Sequence, residues 1–194
     1  KGDADYIETE RWRTADSRYN VCRVGEELAV LLEALGMRVT HDTGDYERPN
    51  LNAAYQRSPE MLESRAAAGE SYDLYIDLHR DAYSDSAGGN TVSIGGIQVA
   101  KLMLLVGKGE GQTGAGFDVK PNWQVNLQTA QSITELLNRQ FDGLCKEVRI
   151  KSGRFNQHVA DCCVLIEVGN YRNSLSEALA ARPYIAAATG ERLQ

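Results

Sequence analysis

Segments with a helical spacing of apolar residues alternate with short, strongly apolar runs along most of this chain. The helical spacing covers residues 20–35 and 123–141, and the apolar runs cover 73–79, 97–107 and 162–169. This alternation is typical of α/β proteins, in which helices connect the strands of a parallel sheet. We therefore expect an α/β fold with a mostly parallel, twisted sheet and helices on both faces.

Four further segments fit the same pattern. The sequence predicts a short strand over 37–41, a helix over 51–68 that breaks near Pro59, a strand over 146–150 and a last helix that begins near Ser174. Ser174 and Glu177 have the spacing of a capping box, and Gly36 stands where a helix C-cap glycine belongs. The sequence contains no internal repeat, so we expect a single domain, 1–194.

Charge and hydropathy argue against two classes of partner. The net charge is −6 and the pI is about 5.2, so no basic stretch is available to neutralise the phosphates of a nucleic acid. No run approaches the roughly 20 apolar residues of a membrane span, and the N-terminus has no signal-peptide pattern. The cysteines lack CxxC spacing, so a cysteine metal site is not expected.

Three titratable residues, His41, His79 and Glu167, stand at or near the ends of predicted strands. Binding and catalytic sites of open α/β sheets collect outside the carboxyl ends of the strands. These three residues are therefore candidates for one site.

Glu167 and His79 each allow two interpretations. A carboxylate within an apolar strand must be paired, hydrogen-bonded or metal-bound. Glu167 is therefore either a general base beside a metal or a salt-bridge partner of Arg80 or Arg172. His79 is either a zinc ligand or a histidine that only satisfies backbone groups.

A zinc site at His79 needs further ligands. A catalytic zinc takes about three protein ligands and keeps one open position for water. Acidic residues before the first predicted helix, among them Glu8, Glu10 and Asp16, are candidates for the second ligand. A third ligand is hard to find. The remaining histidine at a predicted strand end is His41, which is the candidate for that position.

Six motifs occur in a fixed order along the chain. They are "RWRTADSRYNVCRVGEEL" (11–28), "HDTGDYERPNLNAAYQRS" (41–58), "IDLHRDA" (76–82), "KPNWQVNLQTA" (120–130), "RFNQH" (154–158) and "VLIEVGNYRNSLSEAL" (164–179). Together they resemble the stage II sporulation protein P family, a branch of the zinc-dependent N-acetylmuramoyl-L-alanine amidases. The resemblance implies a zinc amidase-like (phosphorylase/hydrolase-like) fold, a Zn²⁺ cofactor and cleavage of the amide between N-acetylmuramic acid and L-alanine in peptidoglycan.

The resemblance also implies roles for individual residues. By position, His79 matches the family's zinc histidine, and Asp16 matches an acidic ligand placed just before the first helix. Glu167 matches the catalytic glutamate that acts as general base, and Arg80 would assist it by charge. The residues that would hold the site or the substrate are Asn156, Gln157 and Asn170.

One departure from the family pattern lies at the N-terminus. The family's first strand ends in a motif that supplies the first zinc histidine and a glutamate, and we expect this chain to lack that strand. Alignment of Tyr6 with the tyrosine of that motif puts Lys1 and Ala4 at those two positions. Lysine keeps its proton at neutral pH and is a poor zinc ligand. Two explanations stay open: either the strand and its histidine are not included in this sequence and the alignment at residues 1–6 is accidental, or this member has lost the ligands. In the second case the alternative function is a catalytically inactive amidase-like domain that binds peptidoglycan or a partner.

The family context implies a place of action. It points to engulfment during sporulation, outside the cytoplasmic membrane in the bacterial cell envelope. The expected partners are peptidoglycan and other sporulation cell-wall machinery. We expect a membrane anchor to lie in a segment outside this chain.

Overall fold

Four strands form the main sheet of the protein. The computed structural model describes residues 14, 16–46, 54–82, 90–109 and 123–193. The strands are, in their spatial order, β1 (Tyr75–Asp81), β6 (Cys163–Asn170), β4 (Leu102–Gly107) and β5 (Cys145–Lys151). The outer two pairs are parallel and the central β6–β4 pair is antiparallel. The predicted mostly parallel sheet is thus confirmed.

The remaining elements are a hairpin and a set of helices. The hairpin consists of β2 (Thr91–Ile94) and β3 (Ile97–Ala100), and the helices are α1 (Val21–Ala34), α2 (Ala54–Ala67), α3 (Trp123–Gln140), α4 (Leu175–Ala180) and α5 (Arg182–Leu193). A short 3₁₀ helix, Ser17–Tyr19, precedes α1. Among the described helices, none is both long and apolar enough to cross a bilayer.

The hydrophobic core lies on one face of the main sheet. Alternate residues of the two central strands point into it, and they meet buried side chains of α1, α3, α4 and α5. The sheet residues of this core are Leu102, Leu104, Val106, Val164, Ile166 and Val168. Because these helices share one face, the part of the chain that the structure describes does not confirm helices on both faces.

Two helix boundaries follow the capping signals in the sequence. The Asn20 side chain accepts a hydrogen bond from the Cys22 N–H at the start of α1, and Gly36 takes the left-handed conformation just beyond its end. At α4, the Ser174 side chain accepts a hydrogen bond from the Glu177 N–H and the Glu177 side chain accepts one from the Ser174 N–H, which confirms the predicted capping box. A local side-chain signal thus fixes both starts.

The predicted single strand over 97–107 is wrong. The structure divides it at Lys101 into β3, which pairs with β2, and β4, which is central in the main sheet. The dipeptide Gly95-Gly96, in which both residues have positive φ angles of 58° and 83°, turns the chain just before Ile97, so the first part of this segment folds back onto β2. Two such residues form the tight turn that two-residue hairpins require.

Two other predictions also fail. Residues 37–41 form no strand in the structure, although Met37 and Val39 pack against the core, because no described strand pairs with this segment. The helix predicted to break near Pro59 instead runs without interruption from Ala54 to Ala67. Pro59 lies only in the second turn, where it removes one hydrogen bond and leaves the rest of the helix intact.

Gly107 at the end of β4 provides a test of the packing. A Cβ atom there would lie 2.1 Å from the backbone oxygen of Gly153, which has no rotamer to move away. We expect Gly107→Ala to lower the free energy of unfolding by about 3 kcal/mol or more in urea denaturation. The control is Gly143→Ala, which adds a Cβ in open space at a positive φ and should lower it by about 1 kcal/mol. Equal losses in the two variants would contradict the packing described.

Candidate active site

The parallel pairing of β1 with β6 brings His79 next to Glu167. The two residues are direct partners in the ladder, although they come from opposite halves of the chain. Side chains two residues apart on a strand share a face, so Asp77, His79 and Asp81 of β1 lie on the same side of the sheet as Glu167. We call these four residues the titratable face. It is the face opposite the hydrophobic core.

Asp77 holds the ring of His79. Its Oδ1 atom lies 3.1 Å from His79 Nε2, and both side chains remain partly exposed. A carboxylate at one ring nitrogen selects the tautomer that carries the proton there and restricts rotation of the ring. His79 is therefore an oriented imidazole at the solvent edge of the site.

Glu167 is the buried member of the titratable face. It is 9% exposed, and its Oε2 atom has no hydrogen-bond partner among the described residues. Burial disfavours the charged form and raises the pKa of Glu167 from 4.5 to about 7, while the nearby His79 opposes that shift. The carboxylates of Asp81 and Asp77 raise the pKa further, and Lys151 lowers it. Near neutral pH this group can therefore both accept and release a proton.

Two cations of β5 reach the same face. Arg149 Nη1 lies 3.8 Å from Asp81 Oδ2, and Lys151 acts on Glu167 through its charge. Arg149 and Lys151 are two residues apart and pair with Leu105 and Gly107 of β4, which places them on one side of the strand. They offset part of the negative charge that the acidic residues of β1 and β6 bring together.

The described residues do not form a complete zinc site. A zinc ion requires several nitrogen, sulfur or oxygen donors within about 2.3 Å of one point. Among the residues that the structure describes, no group of three His, Cys, Asp or Glu side chains is close enough to hold a metal. Two candidate donors on the titratable face are His79 and Glu167, whose Oε2 has no hydrogen-bond partner among the described residues. Zinc binding stays a prediction, as does the assignment of its ligands.

Asp16 has another set of contacts. It begins the 3₁₀ helix before α1, and its Oδ2 lies 2.6 Å from Arg18 Nη2. The Arg18 side chain and backbone N–H donate hydrogen bonds to this carboxylate and lower its pKa to about 2. The predicted position before the first helix is thus confirmed. The predicted zinc-ligand role would use the Asp16 carboxylate, which in the structure already binds the guanidinium of Arg18.

The structure pairs His79 with Glu167, but it does not pair Arg80 or His41 with Glu167. Arg80 follows His79 on β1, so its side chain leaves the strand on the other face. His41 is exposed and packs over α1, where a Cβ at Gly25 would lie 2.5 Å from His41 Nε2. The grouping of His41 with His79 and Glu167 therefore does not appear in the structure.

Gln157 has a structural position in the protein. Its side chain is fully buried, its Nε2 donates to the Leu105 oxygen at 2.7 Å, and its Oε1 accepts from the Gly107 N–H at 2.9 Å. The amide thus serves as a hydrogen-bond partner for the end of β4. The predicted substrate role of Gln157 would require an exposed side-chain atom, and Gln157 has none in the structure.

The other two predicted substrate residues lie at different ends of the sheet. Asn156 belongs to the loop that leads into the amino end of β6, and it has a positive φ of 59°. Asn170 lies at the carboxyl end of β6 near the titratable face, but it is only 6% exposed. Its Oδ1 accepts a hydrogen bond of 2.9 Å from the Arg172 N–H, so the side chain shapes the following turn.

Sequence reasoning missed four residues of the site: Asp77, Asp81, Arg149 and Lys151. The signal that finds them is the period of two in a strand. In "DLHRD" the aspartates have the same parity as His79, and in "VRIK" the two cations share a parity. Once His79 is taken as a site residue, the alternation of side chains along a strand predicts that Asp77 and Asp81 lie on the same face.

Comparisons with known proteins agree on one family. The family model of stage II sporulation protein P (SpoIIP) matches residues 3–189. Stage II sporulation protein P of Bacillus subtilis (strain 168) is 27% identical over 181 residues, which covers 88% of this chain and 42% of the relative. The chain thus spans about two-fifths of the length of this curated relative.

The raised pKa of Glu167 predicts a pH dependence of stability. Between pH 4.5 and 7 the folded protein keeps a proton on Glu167 that the unfolded chain releases, so this residue lowers the stability as the pH rises through that window. From pH 4 to pH 8 we expect the wild type to lose about 3 kcal/mol relative to Glu167→Gln. Urea denaturation in the presence of a chelator measures this difference. Parallel pH profiles for the two proteins would contradict the shift.

Proposed function

Because this chain belongs to the stage II sporulation protein P family, we propose that it hydrolyses peptidoglycan at the amide between N-acetylmuramic acid and L-alanine. The family name associates the chain with sporulation, and the family is associated with hydrolysis of the cell wall. The observation that carries the proposal is the buried carboxylate of Glu167, with a pKa of about 7, beside His79.

Glu167 is the proton-transfer group in this proposal. Its deprotonated carboxylate would take a proton from the attacking water, and the protonated form would then give a proton to the leaving amine. A pKa near the working pH suits both steps, because neither form has to be reached at great cost. The low exposure of Glu167 keeps bulk water from screening the charge that develops.

His79 is the described residue that would hold Zn²⁺ in this proposal. Asp77 would keep the ring oriented through the contact at Nε2. When bound, zinc would polarise the scissile carbonyl and lower the pKa of water, which is the chemistry that amide hydrolysis needs. The predicted roles of Arg80 and Asp16 stay proposals. For Asp16, zinc binding would have to compete with the ion pair that its carboxylate forms with Arg18.

The substrate sets the proposed place of action. Peptidoglycan lies outside the cytoplasmic membrane, so we place the domain in the cell envelope during sporulation. Other proteins of the sporulation cell-wall machinery are its proposed partners.

The test of the proton-transfer role is Glu167→Gln, which removes the base but keeps the shape of the side chain. We expect release of stem peptides from purified sacculi, measured by mass spectrometry, to fall at least about 100-fold. The wild-type rate should rise with pH as Glu167 loses its proton, with a midpoint below about 7 when zinc is bound nearby, because the charge of the metal favours the carboxylate. The control is Glu135→Gln, a neutralised carboxylate on the exposed side of α3. Unchanged release by Glu167→Gln would remove the proposed mechanism.

Zinc binding has a separate test that does not depend on cleavage. We expect His79→Ala to lower the zinc affinity at least about 10-fold, and Asp77→Asn to weaken it less, in competition with a chromogenic chelator. Stoichiometric zinc that both variants retain with full affinity would show that the metal lies elsewhere.

The second candidate function is a module that binds peptidoglycan or a partner without cleavage. The alignment of Tyr6 with the family's tyrosine favours it, since that alignment puts Lys1 and Ala4 at the family's ligand positions. In the sacculus assay it predicts sedimentation of the protein with the cell wall, no release of stem peptides and no stoichiometric zinc. Release by the wild type that Glu167→Gln abolishes would exclude it.

A further inference from the structure

The strand β6 contains an irregularity directly after Glu167. Its residues pair with β1 in step up to His79 and Glu167, but the next pair joins Asp81 to Asn170. Two residues of β6, Val168 and Gly169, therefore lie opposite the single residue Arg80. Such a bulge bends the strand and redirects nearby side chains, and bulges are frequent next to active sites.

Gly169 is required by the geometry of this bulge. Its φ is +69°, in the left-handed region, and a Cβ atom there would lie 2.5 Å from Asn173 Oδ1. Its N–H donates a hydrogen bond of 2.9 Å to the Lys101 oxygen, at the junction between β3 and β4. The backbone thus passes very close to the side chain of Asn173 two residues after Glu167.

Asn173 fixes the bulge from the inside of the protein. It is 2% exposed, and its Oδ1 accepts a hydrogen bond of 2.8 Å from the Asn170 N–H. Its Nδ2 donates to the Asn90 oxygen at 3.2 Å and to Glu177 Oε2 at 2.9 Å. One amide therefore joins the end of β6, the start of the hairpin and the first turn of α4.

Glu177 provides the rigid support for Asn173. The same Oε2 atom accepts a hydrogen bond of 2.9 Å from the Ser174 N–H, as part of the capping box. Residues Leu175 and Ala178 of α4 are buried in the hydrophobic core. The position of the Asn173 amide is thus set by a helix that is itself anchored in the core.

From this chain of contacts we propose that Asn173 is a positioning residue for Glu167. It holds the bulge formed by Val168 and Gly169, and the bulge determines where β6 directs the Glu167 carboxylate relative to His79. Asn173 is too deeply buried to touch a substrate, so it acts only through β6. The inference rests on the proposed function, because it assigns Asn173 to the reaction of Glu167.

The experiment compares Asn173→Ala with Ser174→Ala. The first variant removes the hydrogen bond to Asn170 and the contact with Glu177. The second removes the serine half of the capping box and leaves the Asn173 amide in place, so it reports the loss of helix stability alone. The melting temperature of each variant, stem-peptide release from sacculi and amide hydrogen exchange at Gly169 and Asn170 are measured.

We expect Asn173→Ala to lower kcat about 10- to 100-fold with little change in KM, because a displaced carboxylate weakens proton transfer more than binding. Ser174→Ala should lower the melting temperature but leave kcat within about 2-fold. Exchange at Asn170 should accelerate only in Asn173→Ala.

The outcomes separate the failure of this inference from that of the proposed function. Equal kcat losses in Asn173→Ala and Ser174→Ala would reduce Asn173 to a purely structural residue. A wild type without release activity would overturn the proposed function and, with it, the catalytic part of the inference. The structural part is tested without activity: if the Asn170 amide exchanges at the same rate in Asn173→Ala as in the wild type, Asn173 does not hold the bulge.

Discussion

The candidate site depends on the hydrogen-bonded pairing of β1 with β6. This ladder sets His79 against Glu167 and, through the alternation of side chains, collects Asp77 and Asp81 on the same face. A shift of one residue in the register would send Glu167 into the hydrophobic core on the other side of the sheet. The apolar neighbours on β6, among them Ile166 and Val168, specify the register because they must remain in that core.

The carboxylate of Glu167 works against the stability of the fold. A carboxyl group that is 9% exposed and has an unpartnered oxygen is less stable in its charged form than it would be in water. Natural proteins keep such groups mainly where a reaction or a ligand uses them. The cations of β5 relieve only part of this penalty, since Lys151 lowers the pKa of Glu167 and burial raises it more strongly.

Much of the fold could be predicted from local signals. The periodic spacing and the caps of α1 and α4 gave correct starts, and the apolar run before Asn170 gave a buried strand. The division of 97–107 at Lys101 was missed, because Gly95-Gly96 indicates the hairpin of β2 and β3 but not the residue at which β3 ends. Within the site, His79 and Glu167 follow from their positions in strands. The structural use of Gln157 depends on the backbone of Gly107, which is 50 residues away in sequence, and no local pattern contains such a contact.

The pairing of β1 with β6 also has a consequence for the order in which the protein gains function. The candidate acid–base group and its histidine partner come from segments separated by nearly half of the chain, so a growing polypeptide holds His79 long before Glu167 exists. Contacts between distant segments form late in folding, since a long loop must first close. A chain that ends before β6 would therefore have no assembled site, and the pairing of His79 with Glu167 would appear only once β6 has been made and has folded against β1.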